Sequence, residues 1–226
     1  MIMKIKPHKN FEGVFSVDGK IATKNLVPGE KVYGEQLIKE GKDEYRVWDY
    51  FRSKPAAAIK KGINEFPVKK GMKILYLGIA SGTTASHFSD IIGEDGIIYG
   101  VDIAERSLRD IIKHAEKRGN IITILNDARQ PEKYANIVLE KVDLVYCDVA
   151  DPEEAVLFVR NCEQFLKPKG YGMIAVKSRS IDVIKEPRQI YKETRKMLEE
   201  KFEIVDMVEL DPYDKDHAMF VVRMKK

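Results

Sequence analysis

The chain of 226 residues is long enough to bury a core without disulfides or metals, and the rough ~150-residue prior gives one domain with an appendage. Hydrophobic residues at 44% and charged residues at 33% exclude a disordered tail and a fibrous class. No apolar run reaches the ~18 residues that span a bilayer, so no membrane role is expected, and a formal net charge of +3 does not by itself announce nucleic acid.

Residues Met1 to Pro7 lack the hydrophobic region of a secretory signal, so a cytoplasmic protein is expected. Apolar and small or polar side chains alternate from Phe11 to Val17, and a further extended run spans Ile21 to Val27. Gly19, Pro28-Gly29 and Gly34 punctuate them as turns. A small antiparallel β domain over residues 1–52 is predicted.

From Lys73 the rhythm changes. Strand-like runs at Ile74 to Leu77, Ile97 to Val101, Ile121 to Leu125, Val142 to Cys147 and Gly172 to Val176 alternate with helical stripes. The stripes are Leu108, Ile111, Ile112 and Ala115, then Ala155, Val159, Cys162 and Leu166, then Ile190, Thr194, Met197 and Leu198. Alternation of this kind predicts an α/β, Rossmann-like domain over residues 53–226, its strands mostly parallel, with ligands at their carboxyl ends. Phe202 to Leu210 and Ala218 to Met224 follow each other without a helix, which predicts a carboxyl-terminal antiparallel hairpin at the sheet edge. Cys147 and Cys162 are too few and too badly spaced for a zinc site or disulfide framework and read as core thiols.

The first parallel strand runs into Gly78-Ile79-Ala80-Ser81-Gly82-Thr83-Thr84. A glycine-rich strand-to-helix turn offers unpaired amides and a close approach to backbone, and could serve packing, NAD, FAD or S-adenosylmethionine. The spacing Gly-x-x-x-Gly lacks the middle glycine a dinucleotide pyrophosphate needs. Asp102 closes the second strand about twenty residues on, where a carboxylate can accept from both ribose hydroxyls. After the third strand come Asn126-Asp127-Ala128-Arg129, and Asp127 suits an adenine amine. Polar residues at three successive strand ends favour S-adenosylmethionine as cofactor, with Gly78, Ala80, Ser81, Gly82, Thr83, Thr84, Asp102, Asp127, Ala128 and Asp148 as its candidate site.

Four stretches carry a wider resemblance: Trp48-Asp49-Tyr50-Phe51-Arg52-Ser53-Lys54, Leu77 to Thr84, Val145 to Ala150, and Pro212-Tyr213-Asp214-Lys215-Asp216-His217. In this order they resemble fibrillarin, especially its archaeal form, over nearly the whole chain. The resemblance implies a class I S-adenosylmethionine-dependent methyltransferase fold and 2′-O-methylation of rRNA, and possibly tRNA. It carries the family's Lys-Asp-Lys-His set onto Lys54, Asp148, Lys177 and His217. A ribose 2′-hydroxyl is a poor nucleophile at neutral pH, so a positioned base must take its proton as it attacks the sulfonium methyl in line. Lys177 is the candidate base, Lys54 the partner of the developing alkoxide, Asp148 the orienting carboxylate and His217 a further member of the network. The chain departs from the family pattern at Asp151, where glutamine is usual, and at Asp102, where glutamate is usual; both bear on cofactor affinity.

From Arg52 to Lys73 there are seven basic residues, Arg52, Lys54, Lys60, Lys61, Lys69, Lys70 and Lys73, against Glu65 alone. With Lys177, Arg179, Lys185 and Arg188 they can flank one crevice and neutralise phosphates, so Arg52, Lys54, Lys60, Lys61 and Arg179 are the candidate RNA contacts. The family resemblance adds the partners: a box C/D guide RNA paired with the target RNA, a Nop-type scaffold protein and a kink-turn-binding protein. A small-molecule or protein methyltransferase on the same fold, or a mainly structural ribonucleoprotein subunit, are the alternatives.

Overall fold

The computed structural model describes residues 5–225, so the first four residues of the stretch read for a secretory signal lie outside it. A five-stranded antiparallel sheet comes first: β1 (Ile5–Pro7), β2 (Val14–Val17), β3 (Lys20–Lys24), β4 (Leu37–Glu40) and β5 (Asp43–Trp48), in the order β1-β2-β3-β5-β4. Its strands are shorter than the alternation predicts. Phe11 to Gly13 form a turn closed by the His8 N–H donating to the Val14 carbonyl at 2.7 Å. The third strand stops at Lys24 because the Asn25 amide turns inward, donating to Glu44 Oε1 at 2.8 Å and to the Glu30 carbonyl at 3.2 Å.

The larger unit runs α1 (Lys54–Lys60), β6 (Lys73–Leu77), α2 (Thr83–Ile92), β7 (Ile97–Asp102), α3 (Glu105–Arg118), β8 (Ile121–Leu125), β9 (Val142–Cys147), α4 (Glu154–Phe165), β10 (Leu166–Lys177), the short α5 (Ser178–Ile181), α6 (Pro187–Glu199), β11 (Phe202–Glu209) and β12 (His217–Met224). Its seven strands lie in the order β11-β12-β10-β9-β6-β7-β8. β10, β9, β6, β7 and β8 are parallel, whereas β12 pairs antiparallel with both β10 and β11 and so forms the predicted hairpin at one edge. β6 therefore sits between β9 and β7, where connections leave in opposite directions. Such a switch point opens a crevice at the strands' carboxyl ends.

Side chains alternate between the two faces of each strand, which is why these segments are almost wholly apolar. Ile74, Tyr76, Leu144, Tyr146, Met173 and Ala175 pack into one core with α1, α2 and α3. Leu75, Leu77, Val145, Cys147, Ile174 and Val176 pack into the other with α4 and α6. The helical stripes hold with small corrections. Ile112 and Met197 sit at the exposed rims of α3 and α6, and Leu166, read as helical, begins β10, whose register with β9 breaks before Tyr171. Cys147 and Cys162 are buried, and desolvation pushes the Cys162 thiol far up.

The small sheet is not free of the larger unit. Val14, Ile21 and Trp48 share a core with Phe88 and Ile91 of α2, and a buried polar knot holds the same junction. Asp90 Oδ2 lies 2.9 Å from Arg46 Nη1 and its Oδ1 2.7 Å from Arg118 Nη1, while Arg46 Nε donates to Glu35 at 2.6 Å; all four side chains are essentially solvent-free. Among the described residues no helix is long and apolar enough to cross a membrane.

Candidate active site

β6 ends at Leu77, and Gly78 follows at φ +80°. A Cβ there would sit 2.7 Å from the Asp148 carbonyl, so only glycine lets the ends of β6 and β9 approach this closely. Ala80 also takes a left-handed conformation, at φ +50°, which costs an alanine about 1 kcal/mol. Its N–H is held at 2.8 Å by Asp102 Oδ2, while Oδ1 of the same carboxylate accepts from the Ala104 N–H at 2.8 Å. Asp102 thus braces the turns after β6 and β7 together.

Gly78, Ala80, Asp102, Asp127, Ala128, Asp148 and Lys177 line one crevice of about 360 Å³ at the carboxyl ends of the parallel strands. Asp127 is shared with Arg129, which donates to it at 2.8 Å and keeps its carboxyl below the ordinary aspartate range. Ser81, Gly82, Thr83 and Thr84 lie off the crevice walls. Gly82 caps α2 against α3, where a Cβ would meet Ile111 at 2.4 Å, and the Thr84 hydroxyl is buried 2.8 Å from Ser53 Oγ at the start of α1. The sequence reading missed Ile103, an exposed apolar side chain on the crevice wall; its signal was a large apolar residue directly after the strand-end carboxylate.

At the crevice mouth three segments meet. Asp148 follows β9, Lys177 ends the adjacent β10, and Lys54 opens α1. Asp148 Oδ1 lies 3.0 Å from Lys54 Nζ and 2.9 Å from Lys177 Nζ; these are charge contacts, and the aligned hydrogen bonds run from Lys54 Nζ to Oδ2 at 3.3 Å and from Lys177 Nζ to the Asp148 carbonyl at 3.1 Å. Burial pushes the Lys54 ammonium down, but Asp148 and Asp214 outweigh it and hold its pKa above the ordinary lysine value. Lys54 is therefore a fixed cation at neutral pH.

His217 is held by Lys215 and Asp214 rather than by Asp148. Its Nδ1 lies 2.6 Å from the Lys215 carbonyl and 3.0 Å from Asp214 Oδ1, two acceptors, so Nδ1 carries a proton. Asp214 links it to the cluster, since its Oδ2 lies 3.5 Å from Lys54 Nζ. Burial raises the Asp214 carboxyl, but His217 and Lys54 bring it below the ordinary aspartate range. Asp214 was not singled out in the sequence, although its place in the Pro212–His217 stretch was the signal. Glu154, the first residue of α4, was missed too: it is buried, and its Oε1 accepts from the Lys177 N–H at 2.8 Å.

The basic segments split. Lys70 and Lys73 lie at the amino end of β6, away from the crevice, and pair with Asp95 and Glu140. Arg52 stands over the Tyr33 ring at 5.2 Å, in a separate cleft of about 320 Å³. Lys60 donates to the Gly19 carbonyl at 3.3 Å, Lys61 to the Asp211 carbonyl at 2.6 Å, and Arg179 pairs with Asp216 at 3.1 Å. Of the five candidate RNA contacts, Lys54 alone stands in the Asp148 cluster.

Residues 5–226 match the family model described as fibrillarin. A fibrillarin-like rRNA/tRNA 2′-O-methyltransferase of Pyrococcus furiosus is 54% identical, over 98% of this chain and 99% of that protein. Among solved structures, Aeropyrum pernix fibrillarin with natively bound S-adenosyl-L-methionine superposes with a TM-score of 0.91 at 52% identity, covering 98% of this chain and 99% of that one. The fibrillarin of a fibrillarin/Nop5p complex superposes with a TM-score of 0.87 at 39% identity, covering 94% and 98%. With a family match over nearly its full length and relatives of more than half identical sequence, this chain belongs to the fibrillarin family.

Proposed function

We propose that this chain is an S-adenosylmethionine-dependent RNA 2′-O-methyltransferase acting on rRNA and tRNA, as its Pyrococcus furiosus relative is named. The observation that carries the reading is the convergence of Lys54 and Lys177 on Asp148 at the mouth of the crevice. The crevice suits the cofactor: its volume lies within the ~300–1,000 Å³ of small-molecule sites, carboxylates at two strand ends offer acceptors for hydroxyl and amine groups, and Ile103 offers a flat apolar surface to a heterocycle. When bound there, S-adenosylmethionine supplies an electrophilic sulfonium methyl.

The chain's own side chains then serve the ribose. Lys54, held as an ammonium, favours an alkoxide developing on the 2′-oxygen. Lys177, in its neutral form, takes the proton, and Asp148 sets the direction of both amines. Asp214 orients Lys54 and fixes the His217 ring. Arg52, Lys60, Lys61 and Arg179 join Lys54 as contacts to the RNA backbone in this reading. In this reading the domain boundary falls between residues 52 and 53, with the five-stranded sheet of Ile5 to Trp48 as the small β domain and the methyltransferase domain following it.

Target choice rests with partners. Most of the candidate basic side chains already have local partners. A Nop-type scaffold, as in the fibrillarin/Nop5p complex, a kink-turn-binding protein and a box C/D guide RNA complete a cytoplasmic particle in this reading. The experiment is methyl transfer from labelled S-adenosylmethionine to a guide-paired target, by the lone protein and with the partners, followed by mapping of the methylated atom. Cofactor binding by the lone protein with ribose methylation only in the particle supports the reading. Label on another atom, or on no RNA at all in the particle, overturns it.

A further inference from the structure

Glu154 has an unusual position for a carboxylate. Its side chain is 1% exposed at the first turn of α4, its Oε1 accepts from the Lys177 N–H, and its Oε2 has no partner. The bond to Lys177 fills a gap in the sheet. The last parallel pair between β10 and β9 is Ile174 with Cys147, because β9 has ended, so the N–H at Lys177 needs an acceptor from outside the strands. Glu154 reaches across from α4 and provides it.

The charges around Glu154 are mixed. Lys177 on β10 attracts an anion, whereas Asp148 and Asp151 after β9 repel one, and the Cys147 thiol on β9 lies close enough to be affected. The amino-terminal end of α4 also favours an anion. Burial outweighs these attractions and pushes the Glu154 carboxyl up to about 8. An ionised carboxylate with one oxygen undonated in the protein interior is costly, and the acid form avoids most of that cost.

We propose that Glu154 is a positioning residue for methyl transfer, acting as a neutral carboxylic acid that pins the main chain at Lys177 while adding no charge to the Lys54–Asp148–Lys177 cluster. The proposal rests on the methyltransferase reading above. A second anion at this place stabilises the ammonium form of Lys177, and an ammonium cannot accept the ribose proton. A side chain that accepts from Lys177 without a charge meets both needs. Glutamine has the same shape and hydrogen-bonding oxygen, so it stands in for the acid form at every pH.

The test uses Glu154→Leu and Glu154→Gln, in the free protein and in the particle with scaffold, guide and target. Infrared difference spectra of the free protein at neutral pH are expected to show a protonated-carboxyl band that Glu154→Gln removes and that fades in the parent as pH rises through about 8. Single-turnover methylation is expected to fall ~30-fold or more in Glu154→Leu with cofactor affinity nearly unchanged, and to recover to within about threefold in Glu154→Gln. Above pH 8 the Glu154→Gln rate is expected to exceed the parent's. If Glu154→Leu does not fold, the Gln variant's band and pH profile still decide. A missing band, a Gln variant no faster than the Leu variant, or a Leu variant at the parent rate overturns the proposal. Failure of the parent to methylate ribose sinks the methyltransferase reading instead, and the infrared band still reports on Glu154.

Discussion

Lys177 holds Asp148 by two of its atoms: Nζ lies 2.9 Å from the carboxylate Oδ1 and 3.1 Å from the main-chain carbonyl. The two residues stand at the ends of neighbouring parallel strands, so the sheet itself aims the amine at the crevice mouth. A loop-borne lysine would lose more side-chain and backbone freedom to reach the same geometry.

Lys177→Ala is expected to lower single-turnover methylation by ~100-fold or more, the scale of a lost general base, while S-adenosylmethionine binding stays nearly the same. Rapid-quench assays and calorimetry on the same preparation separate the two. Near-parental turnover would assign the proton to an ordered water, since Lys54 is held as an ammonium.

Asp102→Ala is expected to weaken S-adenosylmethionine binding by about 1 to 3 kcal/mol. Two losses combine: a carboxylate facing the crevice, and the brace between the Ala80 and Ala104 amides. Calorimetry gives the answer directly, and unchanged affinity would mean that Asp102 is only a loop brace.

Arg46→Met leaves Asp90 and Glu35 buried without their shared cation and is expected to destabilise the fold by ~3–5 kcal/mol, the range for breaking a buried pair from one side. Chemical denaturation measures it. A loss below ~1 kcal/mol, as for an exposed pair, would show that water or Arg118 relieves the two carboxylates.

His87 ties stability to pH. It is fully buried, with its ring nitrogens 2.7 Å from the Thr23 and Tyr33 hydroxyls, and burial followed by repulsion from Arg46 and Arg118 depresses its pKa well below 6.5. Below pH 6.5 the unfolded chain gains a proton that the folded chain refuses, so stability present above that pH is lost on acidification. The slope from this one group approaches ~1.4 kcal/mol per pH unit. Unfolding free energies measured from pH 7 down to 5 should fall less steeply in His87→Gln than in the parent. Equal slopes would contradict the assignment.

Much of the larger domain was legible in the sequence, because strand and helix periods are local properties written into successive side chains. Ile74 to Leu77 needs two apolar faces, and that alone places it inside a sheet covered on both sides. The Gly78 turn and Asp102 follow the same logic, since each stands a fixed number of residues beyond a strand. The resemblance to fibrillarin supplied the Lys-Asp-Lys-His set, which periodicity could not. Tertiary structure alone decided how those residues meet. Lys54 reaches Asp148 only because α1 packs on one face of the sheet that carries Asp148 and β12, and His217 arrives through Asp214 because β12 runs antiparallel beside β10. The basic run from Arg52 to Lys73 looked continuous, yet its last lysines fall at the opposite end of β6 from its first. Glu154 carried no signal in an acidic first turn, where carboxylates ordinarily face water. Its burial, and the gap it fills at Lys177, exist only once β9 has stopped short of β10. Charge and hydrogen-bond partners are set by which distant segments the fold brings within a few ångströms, and no local period records that.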